Sequence, residues 1–349
     1  MRKTAESCLP GHPDKMCDQI ADALVDECLR RDPSSRTNFS VLGSHGMLVI
    51  AGEWDSAADF DMAALARSVY ADIGYGDELE VFVNVDKPSE ERRGLSGPSG
   101  AVVVNGYATR ETREMLPRPL AYAHALARRL DDARRFDPSF SWLRPDGCVQ
   151  VSMEKDAMRA VTVLASHAPE VAPNDVRLAI LERVVAPVAG STENMHVHVN
   201  PAGAFTHAGF HSASGMNGQR LGADAYGGLV PFCDRALSGK DPRAAERAGA
   251  YAARAAARFL VEQGLVSSAI VTLVYTAGRA EPISVEALGA ADKARGTTVR
   301  LGELVRRNFD FRPDAIVERW RLDRPIYRAT AAYGHFGRAE FPWEAPFGT

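Results

Sequence analysis

Two polar stretches rich in glycine and proline divide this chain into three segments, and this division constrains the fold more than any other sequence feature. The first stretch covers residues 90–101 and the second covers about 200–228. Glycine and proline interrupt helices and strands, so both stretches are predicted to be loops. With 349 residues, the chain is long enough for two or three domains.

Each segment combines strand-like and helix-like patterns. Two strands, a helix and further strands recur about three times without a visible sequence repeat, which predicts three similar α+β units. Apolar runs and alternation predict strands at 47–54, 79–85, 101–108, 148–153, 158–166, 195–200 and 268–276. Helical periodicity predicts helices within 56–76, 111–135, 174–189, 241–264 and 298–309.

Some helix boundaries are predicted from capping and breaking residues. The helix within 56–76 is expected to end at a glycine. The helix from about residue 111 is expected to be interrupted by Pro117 and Pro119. Asn174 is a candidate N-cap, and Pro242 suits the first position of the helix that follows it.

The composition excludes some functional classes. A net charge of −4 argues against general nucleic-acid binding. We expect no membrane association, because no apolar run approaches the roughly 20 residues of a membrane-spanning helix. The cysteines show neither a CxxC pair nor zinc-ligand spacing. Their odd number, five, and the absence of a signal peptide predict a reducing, cytoplasmic location.

The sequence from Ser7 to Glu27 places Gly-His-Pro-Asp-Lys at the start of a predicted helix. Pro13 suits the first helical position, and an apolar stripe follows it. The free N–H groups and the positive end of the helix dipole then lie near His12, which favours an anion there. The alternative is an ordinary capped and solvated helix start, with Asp14 favouring the dipole.

Two further places combine residues suited to chemistry. Asp146 is predicted at a turn that leads into a strand, and Lys240 and Asp241 stand just before Pro242. Because the GxxxxGK[ST] phosphate-loop pattern is absent, Lys240 would belong to an unrelated phosphate site. His196 and His198 alternate along a strand and are expected to be packed or solvated rather than metal ligands.

Motifs along nearly the whole chain resemble the S-adenosylmethionine synthetase family. They occur in the family's order: GHPDKMCDQIADALVDE, NGYATRETREMLPRPLAYAHAL, NPAGAF, DAYGG, LSGKDP, NFDFRPDAIVE and PIYRATAAYGHFGRAEFPWE. GHPDK, SGKDP and AAYGHFGR are specific in combination. On this resemblance, the helix start at His12 is expected to be functional.

The resemblance implies a fold, an assembly and a reaction. The fold is of the α/β class, with three structurally related domains in a pseudo-threefold arrangement, at residues 1–93, 100–205 and 206–349. The assembly is a homodimer with active sites at the subunit interface. In the reaction, the thioether sulfur of methionine attacks C5′ of ATP and expels the triphosphate chain, with Mg²⁺ as cofactor.

The resemblance also implies roles for individual residues. His12 lies near the leaving O5′, Lys15 and Lys240 serve the phosphates, and Phe205 stacks on adenine. The implied roles are catalytic for His12, Lys15 and Lys240; nucleotide-binding for His12, Asp146, Phe205, Arg220, Lys240 and Asp241; acceptor-binding for Glu53; and metal-binding for Asp14 and Glu246.

Several functional motifs depart from the family pattern. Gly100 replaces the family's aspartate that binds the methionine ammonium group. Pro88 replaces a substrate-binding glutamine, and Cys148 replaces a phosphate-binding lysine. Ser40 stands for a potassium-binding glutamate, which puts a potassium site in doubt. Further replacements of family charges occur at Ala204, Ala213, Gln219, Arg220, Ala244 and Glu246.

These departures leave three hypotheses open. The first is an S-adenosylmethionine synthetase that tolerates the changes. The second is a diverged paralogue that uses ATP or another nucleotide with a non-methionine acceptor, or as a phosphate-chain hydrolase. The third is a non-catalytic nucleotide-binding subunit. The retained His12, Asp14, Lys15 and Lys240 argue against the third. The loss of the aspartate at Gly100 and of the glutamine at Pro88 favours the second over the first.

Overall fold

The computed structural model describes residues 2–93, 100–290 and 300–347. The described strands are β1 Arg2–Cys8, β2 Arg36–Ser44, β3 Met47–Asp55, β4 Glu80–Asp86, β5 Val102–Thr109, β6 Leu143–Glu154, β7 Ala157–His167, β8 His196–Val199, β9 Gly215–Met216, β10 Ser268–Tyr275 and β11 Ser284–Ala290. The described α-helices are α1 Pro13–Arg31, α2 Met62–Ile73, α3 Glu90–Arg93, α4 Arg118–Phe136, α5 Pro173–Ile180, α6 Ala186–Ala189, α7 Leu221–Tyr226, α8 Ala245–Glu262, α9 Leu301–Asn308 and α10 Pro313–Trp320.

The strands form three sheets, and each sheet takes one strand from another segment of the chain. Their strand orders are β1-β6-β7-β8, β11-β10-β5 and β4-β3-β2-β9. Strand β1 of the first segment thus belongs to the sheet of the central segment, and β5 of the central segment belongs to the sheet of the third segment. Strand β9 of the third segment belongs to the sheet of the first. This cyclic exchange ties the three α/β domains together.

Long helices cover the sheets and form the core. Helix α1 is buried along nearly its whole length, with Ile20, Leu24 and Cys28 on the apolar stripe that its spacing predicts. Helix α8 packs on β5, where Gly106 lets the two backbones approach: a Cβ there would lie 1.9 Å from the carbonyl carbon of Ala253. No helix among the described residues is both long and apolar enough to cross a membrane.

Most predicted elements are present with shifted ends, but strands β1, β2, β9 and β11 and helices α3, α7 and α10 were not predicted. Helix α4 begins only at Arg118, because residues 111–117 form turns before the prolines rather than a helix that the prolines interrupt. The N-cap of α5 is Ala172, so the prediction of Asn174 as cap is wrong. Pro242 does not open α8, whose N-cap is Ala244.

Two loop predictions were also incomplete. Asp146 lies inside β6, at a register irregularity, rather than at a turn before it. The glycine-rich region at 200–228 contains α7 and β9. Of the first predicted loop, 90–101, residues 90–93 form helix α3 instead, and residues 94–99 lie outside the described residues.

The expectation of reduced cysteines is wrong for one pair. Cys8 and Cys148 form a disulfide between β1 and β6, whereas Cys17, Cys28 and Cys233 are free thiols. The sequence gives no sign of this pairing, because the two residues are 140 positions apart and meet only through strand register.

Candidate active site

The start of α1 positions His12 as a neutral hydrogen-bond donor. Pro13 is the first helical residue and His12 is the N-cap, whose ring Nδ1 accepts the N–H of Asp14 at 3.2 Å. The neutral ring therefore carries its proton on Nε2. Burial, reinforced by the cations of Arg220 and Lys15, lowers the pKa of His12 to about 4. At neutral pH the imidazole is uncharged and Nε2–H is available as a donor.

Asp14 projects from the same helix start as a half-buried carboxylate. Its Oδ1 accepts the backbone N–H of Met216 in β9 at 3.0 Å, and burial raises its pKa. This contact fixes the side chain against the strand. The oxygen donors of a carboxylate suit Mg²⁺, so the geometry is compatible with the predicted metal-binding role.

Lys15 is buried rather than open to a ligand. Its ammonium contacts the carboxylates of Asp18, at 2.9 Å, and Asp224. Those carboxylates outweigh the burial, which alone would lower the pKa of Lys15, so the group stays charged. A phosphate would have to compete with both carboxylates, so the predicted phosphate contact of Lys15 stays a prediction.

Asp146 and Phe205 lie on the central segment. The Asp146 carboxylate is buried, and its Oδ2 accepts the N–H of Gly209 at 2.8 Å. Burial raises its pKa to about 6, against the opposing N–H groups of Gly209 and Gly147. Phe205 is half-buried, and its backbone forms two hydrogen bonds with His167.

Arg220 supplies a guanidinium beside His12. Its Nη2 contacts the carboxylate of Glu6 on β1. Its Nε is buried and has no hydrogen-bond partner among the described residues. A buried donor without a partner is unfavourable, and the guanidinium contributes a positive charge close enough to lower the pKa of His12.

A second set of predicted residues lines a separate cavity of about 480 Å³. Glu53, Lys240, Asp241 and Glu246 all contribute to its wall. Lys240 contacts Glu246, so each neutralises the other. Asp241 is buried and accepts the N–H of Thr37 at 3.1 Å and that of Arg243 at 2.9 Å. This binding gives Asp241 a structural role, and its nucleotide-binding role stays a prediction.

Strand β2 separates the two sets within one chain. Asn38 pairs with Lys240 near one end, while Leu42 pairs with Met216, which binds Asp14, near the other. Four residues of strand span about 13 Å. His12, Asp14 and Lys15 do not line the Lys240 cavity as the described residues form it. One chain therefore presents two half-sites, which we call the His12 half-site and the Lys240 half-site.

Sequence reasoning missed some residues at these half-sites. The carboxylates that hold Lys15 come from Asp18, one turn along α1, and from distant Asp224. Only the first has a sequence signal, the i,i+3 spacing. Cys8 and Glu6 border His12 because they lie at the end of β1. Their approach to Cys148 of β6 and to Arg220, just before α7, cannot be deduced from local spacing.

Comparison with protein-family models finds three matches that together cover the chain. They are the N-terminal domain of S-adenosylmethionine synthetase at residues 1–88, the central domain at 96–205 and the C-terminal domain at 207–345.

Individual relatives match over nearly the whole chain. An S-adenosylmethionine synthase of Sorangium cellulosum (strain So ce56) is 39% identical, covering 98% of this chain and 86% of the relative. An S-adenosylmethionine synthase of Deinococcus deserti is 37% identical, covering 99% and 96%. One of Petrotoga mobilis is 34% identical, covering 98% and 95%.

Proposed function

The chain belongs to the S-adenosylmethionine synthetase family, a family of adenosyltransferases, and we propose that it joins a thioether acceptor to C5′ of ATP. In this reaction the acceptor sulfur forms a bond to C5′ while the C5′–O5′ bond breaks. The triphosphate chain leaves with the bonding electrons. Methionine or a methionine-like compound is the proposed acceptor.

The observation that carries this proposal is the neutral His12 at the start of α1. A thioether sulfur attacks without losing a proton, so the site needs no general base. It needs alignment and stabilisation of negative charge on the leaving oxygen. The Nε2–H of His12 is a donor suited to that charge, and the guanidinium of Arg220 adds positive charge near it. Lys240 would meet the phosphates from the other half-site.

The family binds ATP and Mg²⁺, and the donor groups of this chain fit the metal. Asp14 and Glu246 would hold it, and a bound Mg²⁺ would neutralise charge on the triphosphate. Glu246 would have to exchange Lys240 for the metal, because the two side chains are in contact. Ser40 offers an exposed hydroxyl in place of a carboxylate, which keeps a potassium site in doubt.

A second candidate function, with a different acceptor, is favoured by the surroundings of Gly100. A Cβ at Gly100 would lie 3.7 Å from Nη2 of Arg235. Arg235 has no carboxylate within salt-bridge distance among the described residues. A guanidinium at this place repels an ammonium group. It therefore favours an acceptor without the amino group of methionine.

We further propose a homodimer in which each active site joins the His12 half-site of one chain to the Lys240 half-site of its partner. The separation of the half-sites along β2 supports this arrangement. The cytoplasmic location remains a prediction from the sequence.

Incubation with ATP and Mg²⁺, with and without methionine, tests the function when products are identified by mass spectrometry. We expect an adenosylated sulfur compound and triphosphate or its hydrolysis products. His12→Asn is the matching variant, because asparagine also caps helices but lacks the Nε2–H group. We expect it to lose formation of the adenosylated product. Phosphate release without any adenosylated product would favour the hydrolase. Nucleotide binding without turnover would favour the non-catalytic subunit.

A further inference from the structure

We propose that Cys8 and Cys148 are a redox-active thiol pair that controls the His12 half-site, with the disulfide as the nucleotide-binding state. This inference rests on the proposed nucleotide binding at that half-site. Cys8 is the last residue of β1, and Cys148 is its direct partner in β6. Their Cα atoms lie 4.0 Å apart, so the two thiols of the reduced protein are already positioned to join.

The two sulfur atoms border the groups that the nucleotide would use. Both sulfurs and a ring nitrogen of His12 lie within 4.8 Å of one another. The Sγ of Cys8 is 3.8 Å from Oε1 of Glu6, and Glu6 in turn contacts Arg220. A change in the sulfur positions therefore acts on His12 directly and on Arg220 through Glu6.

The backbone provides a second connection between the bridge and the half-site. The turn from Cys8 to His12 is held to β6 by Leu9 N–H donating to Gly147 O at 2.8 Å and by Gly11 N–H donating to Pro145 O at 3.0 Å. These two bonds lie on either side of Asp146. The Cys8–Cys148 disulfide thus joins β1 and β6 next to the backbone bonds that set the spacing between His12 and Asp146.

Reduction requires the two buried sulfurs to move apart. Two thiol sulfurs cannot approach as closely as two bonded ones. Cys8 and Cys148 are only 1% and 7% exposed, whereas the His12 side chain beside them is 24% exposed. The separating thiols therefore displace the ring of His12, the more open neighbour, and disturb the half-site.

The redox step is a thiol–disulfide exchange with a small-molecule disulfide. The thiolate of Cys148, the more exposed of the two, attacks the small disulfide, forms a mixed disulfide and expels one thiolate. The Cys8 thiolate then attacks the Cys148 sulfur, forms the Cys8–Cys148 bond and expels the second thiolate. The two protein thiols lose two electrons and two protons, which convert the small disulfide into two thiols.

Thiol counting tests the pair without reference to activity. The chain has five cysteines, of which Cys17, Cys28 and Cys233 are free. After treatment with a small-molecule disulfide, removal of the reagent and unfolding, the protein should show three free thiols. After reduction it should show five. Mass spectrometry should find the Cys8 and Cys148 peptides joined. Five thiols in both samples would overturn the proposal.

Measuring nucleotide affinity in both redox states tests whether the thiol pair regulates the His12 half-site. We expect reduction to weaken binding of a non-hydrolysable ATP analogue with Mg²⁺ by at least about fivefold, the lower range of coupling between two sites. By reciprocity, the analogue should slow reduction of the disulfide. Cys8→Ser and Cys148→Ser should each abolish the redox response, while Cys233→Ser, which removes a thiol outside the pair, should keep it.

The outcomes separate the failure of this proposal from that of the proposed function. Equal nucleotide affinity in both redox states would overturn the proposed redox regulation alone. Tighter nucleotide binding after reduction would do the same. No nucleotide binding in either redox state would overturn both the proposed redox regulation and the proposed function. A redox effect that needs added Zn²⁺ and disappears with a chelator would overturn the proposed redox regulation, because the two thiols and His12 would then act as a metal site.

Discussion

Asp146 should set the pH dependence of nucleotide binding. Burial raises its pKa to about 6, so the carboxyl group becomes protonated, and loses its charge, as the pH falls below that value. We expect the Kd for the magnesium nucleotide to rise from pH 7 to pH 5, approaching about tenfold per pH unit below the pKa. His12 contributes little to this range, because its pKa is lowered to about 4.

Calorimetric titration of wild type and Asp146→Asn across this range would test the assignment. The asparagine variant should bind more weakly at pH 7 and show a flat profile. Asp156→Asn, which removes an exposed carboxylate that pairs with Arg118 and does not line the Lys240 cavity, should keep the wild-type profile. A pH dependence that survives in Asp146→Asn would assign the titration to another group.

Lys240 should act mainly on turnover. If it meets charge that develops on the leaving triphosphate, Lys240→Ala should lower kcat by about 10²–10³-fold, as the loss of one preorganised donor does. Nucleotide affinity should change much less. Arg243→Ala is the matched control, because Arg243 lines the same cavity but pairs with exposed Asp314. Equal losses in affinity and kcat would make Lys240 a ground-state anchor.

The second candidate function, with a different acceptor, predicts that Gly100 and Arg235 jointly disfavour methionine. An aspartate introduced at Gly100 would lie beside Arg235, so its charge would be neutralised. We therefore expect Gly100→Asp to restore little methionine turnover, and Gly100→Asp with Arg235→Gly to restore more. Steady-state assays with methionine would measure this. Efficient use of methionine by the wild-type protein would contradict the second candidate function and support methionine as the acceptor.

The types of residue at the site follow from the sequence better than their partners do. His12, Asp14 and Pro13 form a local unit, so the capped helix start could be predicted from spacing alone. The family resemblance predicted Lys15 as a phosphate ligand, but its burial depends on Asp224, which is 209 residues away. The Cys8–Cys148 bridge likewise depends on strand register, which short-range patterns do not specify.

At the scale of helices and strands, periodicity predicted most elements, misplaced several ends and missed strands β1, β2, β9 and β11 altogether. Helix α8 and strands β3 and β10 follow their apolar patterns closely. The start of α4 was missed because residues 111–117 are held in turns by side-chain contacts, such as Thr112 with Leu116. Such contacts override the helical propensity of the segment.

A buried ion pair should fix α1 against α8. Asp22 and Arg247 are fully buried, with Oδ1 and Nη2 2.6 Å apart, and the guanidinium lies over the ring of Tyr327. Asp22→Asn would leave a buried cation without its counter-charge. We expect a loss of about 3–5 kcal/mol in the free energy of unfolding, measured by urea denaturation.

A surface pair in the same protein provides the control for this prediction. Arg300 and Glu303 are exposed and form an i,i+3 pair at 2.9 Å. Glu303→Gln should change the free energy of unfolding by no more than about 0.5 kcal/mol, because water screens exposed charges. Similar effects of Asp22→Asn and Glu303→Gln would show that the buried pair does not hold the helices together.

At the scale of the whole molecule, the sequence predicted three related units but not how they join. The glycine-rich stretches mark the segment boundaries, whereas the cyclic exchange of β1, β5 and β9 has no local sign. Each lent strand looks like any half-buried strand, and only long-range register assigns it to a sheet. The exchange explains why β9, at the start of the third segment, carries the backbone N–H that binds Asp14.

Mixing two inactive variants should recover activity if the half-sites of different chains combine. In a mixed dimer of His12→Asn and Lys240→Ala, one site receives both substitutions and the other receives none. Random exchange makes half of the dimers mixed, and each has one intact site, so about a quarter of wild-type activity should return. An active site built within one chain predicts no recovery, because every site would then carry one substitution. Activity measured before and after subunit exchange, with each variant alone as control, decides between the two arrangements.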